Sequence, residues 1–289
     1  MTHPTLVTLT GTGVPHPAPG RAGAGTLVRY GDLQLQFDAG RGTTIRLAEA
    51  GAGAVSLSAL FLTHIHSDHL VDVTDVAMTR WVQQQLHVTG PLTIVCAEGL
   101  CERFVHRMFD VWDDDIHVRM EHVGADRPGV DLRTFPLPDG PTTVWTSSDG
   151  DVTVEAIAVH HEPVEEAVAY RVTTPTGVVV VSGDTRVCDE VGEFSRGADV
   201  LVHEACRATA LAPHVKGTVF ETIFSYHADS VALGGMAERI GVPHLVLTHL
   251  IPQPTDDAQE AAFERDVRNG GYTGTVTVGR DLTTVTCRP

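Results

Sequence analysis

His64, Ile65, His66, Ser67, Asp68 and His69 place four side chains able to ligate a metal within six residues. They follow the apolar run Leu60-Phe61-Leu62-Thr63, which reads as a short buried strand. The ligands therefore sit where a strand gives way to a loop, and a tight turn there can aim them into one small volume. One catalytic metal with an open coordination position needs about three protein ligands. Four here, with more His and Asp downstream, point to two metals sharing a bridging water, which is the centre of a metal-dependent hydrolase.

Further candidates recur behind predicted strands. His160 and His161 follow Asp151–Val159, and Asp184 follows Val178–Ser182. His203 and Glu204 follow Val200–Val202, and His249 follows Leu245–Thr248. Neighbouring strand ends lie about 5 Å apart, so such residues can converge on one rim. A lone histidine at a strand end is usually a satisfied polar residue. Five such places in one chain make that reading poor.

Stepping along the elements, Thr5–Thr10 reads as a first strand broken by Gly11-Thr12-Gly13, and residues 14–25 as a Pro/Gly-rich loop. Leu33-Gln34-Leu35-Gln36-Phe37 alternates and predicts a half-exposed strand. Helices are expected over 43–50, 70–87, 97–109, 229–240 and 256–268, with Thr255 as N-cap of the last and Gly270 beyond its end. Residues 110–150, rich in Asp, Pro and Gly, are expected to be loops with short strands. The apolar runs Val178–Ser182, Val200–Val202 and Leu245–Leu247 suit strands buried on both faces. Two sheets covered outside by helices satisfy the pattern. No linker is evident, so 1–289 is expected to be one domain. Trp81, Phe104, Phe109, Trp112 and Trp145 fall in the middle region, where the segment around 80–150 is a candidate lid or dimer contact, although most such aromatics are core.

The 289 residues, 42% hydrophobic, suffice for a full core. No run reaches the roughly 20 apolar residues of a membrane helix. The N-terminal residues lack a signal-peptide pattern, so a cytoplasmic protein is expected. The five cysteines are scattered without a Cys-x-x-Cys pair and are expected to be free thiols. The formal net charge is −17, and Lys216 is the only lysine. Nucleic-acid binders draw most of their affinity from phosphate neutralisation, so large RNA or DNA partners are not expected, whereas a small anionic ester held directly at the metals is.

Thr63-His64-Ile65-His66-Ser67-Asp68-His69 resembles the signature ligand motif of the metallo-β-lactamase superfamily. The resemblance continues through Phe37-Asp38-Ala39-Gly40, Gly90-Pro91-Leu92, Ser182-Gly183-Asp184-Thr185-Arg186, His203-Glu204-Ala205 and Leu247-Thr248-His249. Within the superfamily the chain looks most like the tRNase Z-like and arylsulfatase-like branch. The resemblance implies an α/β fold, a four-layer αββα sandwich, and a homodimer. It implies that His64, His66 and one of His160/His161 hold the first metal, with His161 preferred from the register of the following residues. Asp68, His69 and His249 would hold the second, and Asp184 would bridge. Asp38 is a candidate to orient a ligand histidine, and His203 to serve structure only. Glu204 would orient His227, which would protonate the leaving oxygen; Ser225-Tyr226-His227 ahead of a helix predicts an exposed rim position. Two divalent metal ions are implied. Zinc is expected from imidazole and carboxylate ligands without thiolate, with manganese or iron as alternatives.

The expected reaction is attack by a metal-bridging hydroxide on an ester, with Asp68 in the catalytic set and His227 as general acid. A small or generic phosphodiester is the favoured substrate. A tRNA 3′-end endonuclease, an arylsulfatase or lactonase, a mononuclear iron dioxygenase and a non-catalytic binding homologue are the competing readings. The tRNA reading meets the acidic balance. It also meets the short span between Arg171 and Gly183, which leaves no room for the flexible tRNA-binding arm that the resemblance implies for short members of the branch.

Overall fold

The computed structural model describes residues 3–287. Its first half supplies β1 (Thr5–Gly11), β2 (Gly25–Tyr30), β3 (Leu33–Phe37), β4 (Ala59–Phe61), β5 (Leu92–Ala97) and β6 (Val130–Phe135). The second half supplies β7 (Thr142–Thr146), β8 (Thr153–Ala158), β9 (Val168–Thr174), β10 (Gly177–Val181), β11 (Val200–Cys206), β12 (His244–Ile251), β13 (Thr275–Val278) and β14 (Thr284–Thr286). One seven-stranded sheet has the order β14-β1-β2-β3-β4-β5-β6, and the other β13-β12-β11-β10-β9-β8-β7. From β3 to β6, and again from β10 to β13, neighbours run parallel. The remaining pairs are antiparallel.

Three apolar clusters mark three interfaces, and hence four layers. Phe37, Phe61, Val154, Tyr170, Val179 and Val202 belong to the cluster between the sheets. Leu47, Leu60, Val73, Val76 and Val105 pack the first sheet against helices 43–49, 73–83 and 100–107. Val180, Val191, Leu233, Met236 and Phe263 do the same for the second sheet and helices 189–194, 230–240 and 257–269. This is the αββα sandwich. β11 is buried at every residue, as a parallel strand covered on both faces must be.

Several local expectations change. Gln36 is fully buried rather than on an exposed face, and its Nε2 donates to Thr10 Oγ1 and the Asp38 carbonyl. The region 110–150 holds an eleven-residue helix, Asp113–Val123, besides its strands. Three aspartates in its first turn suit the positive end of the helix dipole. Asp256, not Thr255, caps the helix that follows, accepting from Gln259 N. Trp81 and Trp145 are core residues, while Trp112 is 48% exposed. All five cysteines are free thiols, and no helix among the described residues is long and apolar enough to cross a membrane.

Tyr170 ties the inter-sheet core to the chain entering the histidine motif. It is fully buried, and its hydroxyl donates to the Leu62 carbonyl at 2.7 Å. Tyr170→Phe keeps the ring and removes that bond. Urea unfolding of the metal-free protein is expected to show a loss of about 1–2 kcal/mol with an unchanged denaturant slope.

Candidate metal centre

The backbone around the centre is shaped residue by residue. Asp38 follows β3 with φ 56°. Its Oδ1 accepts from Thr63 N at 2.8 Å, and its Oδ2 accepts from Thr63 Oγ1 at 2.7 Å. The same Oδ2 lies 2.7 Å from His69 Nδ1. Because the Thr63 hydroxyl donates to Asp38, its oxygen is free to accept from His64 Nδ1, 3.0 Å away. His64 thus presents its Nε2 lone pair inward, a tautomer fixed by the network, and the contact at Nδ1 aims His69 Nε2 inward as well. Asp184 is carried by Gly183, whose φ is +61° and where a Cβ would come within 2.8 Å of Thr63 Cβ. Only glycine fits that approach.

His249 reaches the site by an irregularity. The register of β11 and β12 runs Glu204↔Thr248 and then Ala205↔Leu250, so His249 is an extra residue in the ladder. Its φ is +42°. Bulges of this kind re-aim a side chain. His249 Nε2 ends 3.2 Å from Asp68 Oδ2 and 3.4 Å from Asp184 Oδ2.

The predicted ligands come together in two groups. His64, His66, His161 and Asp184 form one, and Asp68, His69 and His249 the other, with donor atoms in each within 4.8 Å of one another. His66 Nδ1 lies 3.0 Å from both His64 Nε2 and His161 Nε2. Ligands about 2.0–2.1 Å from a tetrahedral ion stand roughly 3.3 Å apart, so these two separations are close to that spacing. Asp184 spans the groups: Oδ2 is 3.9 Å from both His64 Nε2 and His161 Nε2, and Oδ1 is 3.3 Å from His69 Nε2. Of the paired histidines, His161 is in the cluster and buried, whereas His160 is 39% exposed and outside it.

Two of these donors test the fit to metal directly. His69 Nε2 and Asp184 Oδ1 are buried without a hydrogen-bond partner, an arrangement that costs stability unless something else takes the lone pairs. A cavity of about 20 Å³ beside Asp38, His69, Asp184 and His249 has room for one small species. Burial, together with neighbouring imidazoles, holds His64 well below the usual 6.5, and burial first of all lowers His66 and His161. These three are therefore neutral, as ligands must be. His69 is different: burial opposes its charge, but Asp184 and Asp38 outweigh burial and raise it well above 6.5. Asp184 is opposed by burial too, yet His249 and His69 pull it well below 3.8. Nitrogen and oxygen donors without sulfur fit a dinuclear divalent metal site.

His227 was expected at an exposed rim but is only 8% exposed. Tyr226 and Phe224 precede it, and its ring lies 5.1 Å from that of His161 and 5.5 Å from that of His249. Its Nδ1 is 2.8 and 3.0 Å from the two oxygens of fully buried Glu204. Burial would lower His227, but Glu204 outweighs it and raises the pKa to about 9. Glu204 and His227 also lie within ligand distance of His161 and Asp184; their direct hydrogen bonds mark them as an ion pair instead. Thr185 N donates to Glu204 Oε1 at 2.8 Å. Thr63 and Thr185 lie within the motifs quoted above, but nothing in the sequence assigned either a role, since no spacing rule marks a residue that acts through a neighbour. His203 is buried against the Glu204 carbonyl.

Fold and site together define a metal-dependent hydrolase, and the beta-lactamase superfamily domain model matches residues 37–250. The chain belongs to that superfamily. It is 35% identical over 285 residues to a ribonuclease Z of Mycobacterium bovis, covering 98% of each chain. It is 38% identical over 279 residues to a ribonuclease Z of Mycolicibacterium paratuberculosis, covering 96% of each. Among solved structures, the metallo-beta-lactamase fold protein YhfI of Bacillus subtilis matches with a TM-score of 0.74 at 23% identity, covering 98% of this chain and 99% of that one. Human tRNase Z, short form, matches with a TM-score of 0.67 at 21% identity over 98% and 100%.

Metal binding should stabilise the protein measurably. At 100 times the dissociation constant each ion contributes about 2.7 kcal/mol, so zinc is expected to raise the Tm of chelator-treated protein by several degrees. The proton held on His69 by the two carboxylates must leave for an ion to bind. The rise is therefore expected to be larger at pH 8 than at pH 6 at the same zinc concentration, as read by scanning calorimetry.

Proposed function

We propose that this chain is a phosphodiesterase of the ribonuclease Z kind, cleaving RNA at a 3′ end. The observation that carries the reading is the His227–Glu204 pair beside the two ligand clusters. A sugar oxygen leaves poorly as an alkoxide and needs a proton in the transition state. A lactone or activated ester needs it less. The names of the relatives that match nearly the whole chain support RNA as the substrate, against the exclusion drawn from net charge alone.

In this reading His64, His66 and His161 hold one ion, and Asp68, His69 and His249 the other, with Asp184 between them. Zinc is the proposed metal. When bound, the ions supply a nucleophile from water and a clamp for phosphoryl oxygens. Asp38 and Thr63 keep the ligand tautomers fixed. Asp68 shares its carboxylate between the centre and His249. His227 delivers its proton to the departing oxygen, and Glu204 keeps that proton in place at neutral pH. Two complete clusters argue against a mononuclear dioxygenase. The proposed enzyme is a cytoplasmic, single-domain homodimer, an assembly that sedimentation analysis would check.

A second reading, a small phosphodiester as substrate, is favoured by two observations. The net charge is −17, and β9 turns into β10 through Pro175 and Thr176 alone, which leaves no tRNA-binding arm. The test is kcat/KM for precursor tRNA beside that for bis(p-nitrophenyl) phosphate, with Asp184→Asn as control. Preferred cleavage of tRNA at its 3′ end supports the first reading. Turnover of small diesters alone selects the second. No turnover of either by protein holding two metals contradicts both.

A further inference from the structure

A third group of donor side chains lies outside the centre. His160, Cys188 and Glu190 bring an imidazole nitrogen, a thiol and a carboxylate oxygen within 4.8 Å of one another. His160 stands on the loop after β8; Cys188 is the N-cap of helix 189–194, and Glu190 lies in its first turn. We propose that these three residues form a separate site for one thiophilic divalent cation of the zinc class, with water completing the coordination.

The donor chemistry supports this. The catalytic clusters contain no sulfur, whereas this group pairs a thiol, which burial keeps protonated and which an ion would bind as thiolate, with an imidazole and a carboxylate. Such a set selects zinc, cobalt or cadmium over magnesium, calcium or manganese. Three protein ligands with one open position is a common zinc arrangement. His160 Nε2 is 3.3 Å from Glu190 Oε1, so two donors already face the same point. On the other side of the ring, Nδ1 faces Glu162 Oε1 at 3.9 Å, and Arg186 holds Glu162 at 2.9 Å. That carboxylate is near the imidazole but beyond hydrogen-bond distance. Cys188 is only part-buried, and its sulfur lies 3.9 Å from Thr185 Oγ1. Without an ion, His160 and Glu190 make a contact at 39% and 48% side-chain exposure, which contributes little by itself.

The position also links this site to the hydrolytic one. The His160 amide donates to Thr185 Oγ1, and the His160 carbonyl accepts from the Arg186 amide. His161 and Asp184 are the next residues on these two segments, and Thr185 N holds Glu204. An ion joining His160 to Cys188 clasps together the two loops that carry His161 and Asp184. It therefore damps their opening without touching the reacting atoms.

Cobalt tests the proposal, because a thiolate ligand gives Co²⁺ a near-ultraviolet charge-transfer band that nitrogen and oxygen ligands do not. The metal-free full chain is titrated with Co²⁺ under reducing conditions. The expected result is a charge-transfer band that Cys188→Ser abolishes and His160→Asn weakens, with the visible bands of the catalytic clusters retained in both. Amide exchange at Thr185 and Arg186 is expected to slow as the near-ultraviolet band grows, and not to slow further in Cys188→Ser. A titration that gives only visible bands, or a charge-transfer band unchanged in Cys188→Ser, overturns the proposal. Because the visible bands report the catalytic clusters, failure of this site is distinguishable from failure of the dinuclear one.

Discussion

Replacing Asp184 by Asn is expected to cut kcat/KM by roughly 10³-fold or more, about 4 kcal/mol of transition-state stabilisation. Asp184 faces both ligand clusters at once, with Oδ2 at 3.9 Å from His64 Nε2 and His161 Nε2 and Oδ1 at 3.3 Å from His69 Nε2. The amide keeps the shape but removes the one charge common to both groups. Metal analysis of the variant is expected to give fewer ions per chain than the unaltered protein holds, and the zinc-dependent rise in Tm to shrink. A change at Asp68 should behave differently, because its Oδ2 lies 3.8 Å from His69 Nε2 and 3.2 Å from His249 Nε2, both in the second cluster. Asp68→Asn is expected to weaken the second ion while sparing the first. An Asp184→Asn enzyme with two tightly held ions and near-normal turnover would remove the bridging role.

Changing His227, the proposed proton donor, is expected to produce an effect that depends on the leaving group. His227→Ala should lower turnover of an RNA phosphodiester by roughly 10²–10⁴-fold. Turnover of bis(p-nitrophenyl) phosphate should fall far less, because p-nitrophenolate departs without a proton. Equal losses on both substrates would show that His227 serves structure rather than proton transfer. The pH dependence carries the same information. Glu204 holds the His227 proton against burial, up to about 9 in the metal-free protein. Cations nearby lower that value, so the alkaline limb of kcat is expected below pH 9, and Glu204→Gln is expected to move it to lower pH. The linked stability has a definite sign. A raised folded-state pKa contributes stability that is fully present below the ordinary 6.5 and is lost as pH rises through about 9. Calorimetry of metal-free protein from pH 6 to pH 10 should show that loss, and Glu204→Gln should flatten it.

The side chains that gather in the two clusters were legible in the sequence because they are residue types that seldom gather by chance. Strand identity was legible for the same reason: Val200–Val202 and Val178–Val181 are too apolar to face water. What the sequence withheld is geometry that no local pattern encodes. His249 sits at an extra residue in a parallel ladder, and a bulge leaves no mark on apolar alternation. The burial of His227 follows from how the chain folds over the rim, so its position before a helix gave the wrong exposure. Gln36 alternates like a solvent-facing residue, yet it serves the buried turn at Asp38. The helix at 113–123 hid behind an aspartate run that composition alone reads as loop, although acidic residues belong in a first helical turn. Between His160 and His161 the residue types were identical; the register of the resemblance preferred His161, and tertiary packing places that residue in the cluster.

The most direct test of a paired-cation centre is anomalous scattering from crystals of zinc-loaded protein, collected on both sides of the zinc edge. Within this centre two peaks about 3.5–4 Å apart are predicted, one among His64, His66 and His161 and the other among Asp68, His69 and His249, both touching Asp184 and both distinct from any peak at His160, Cys188 and Glu190. A catalytically active crystal form with a single ion, or with its ions bound away from these side chains, would contradict the account.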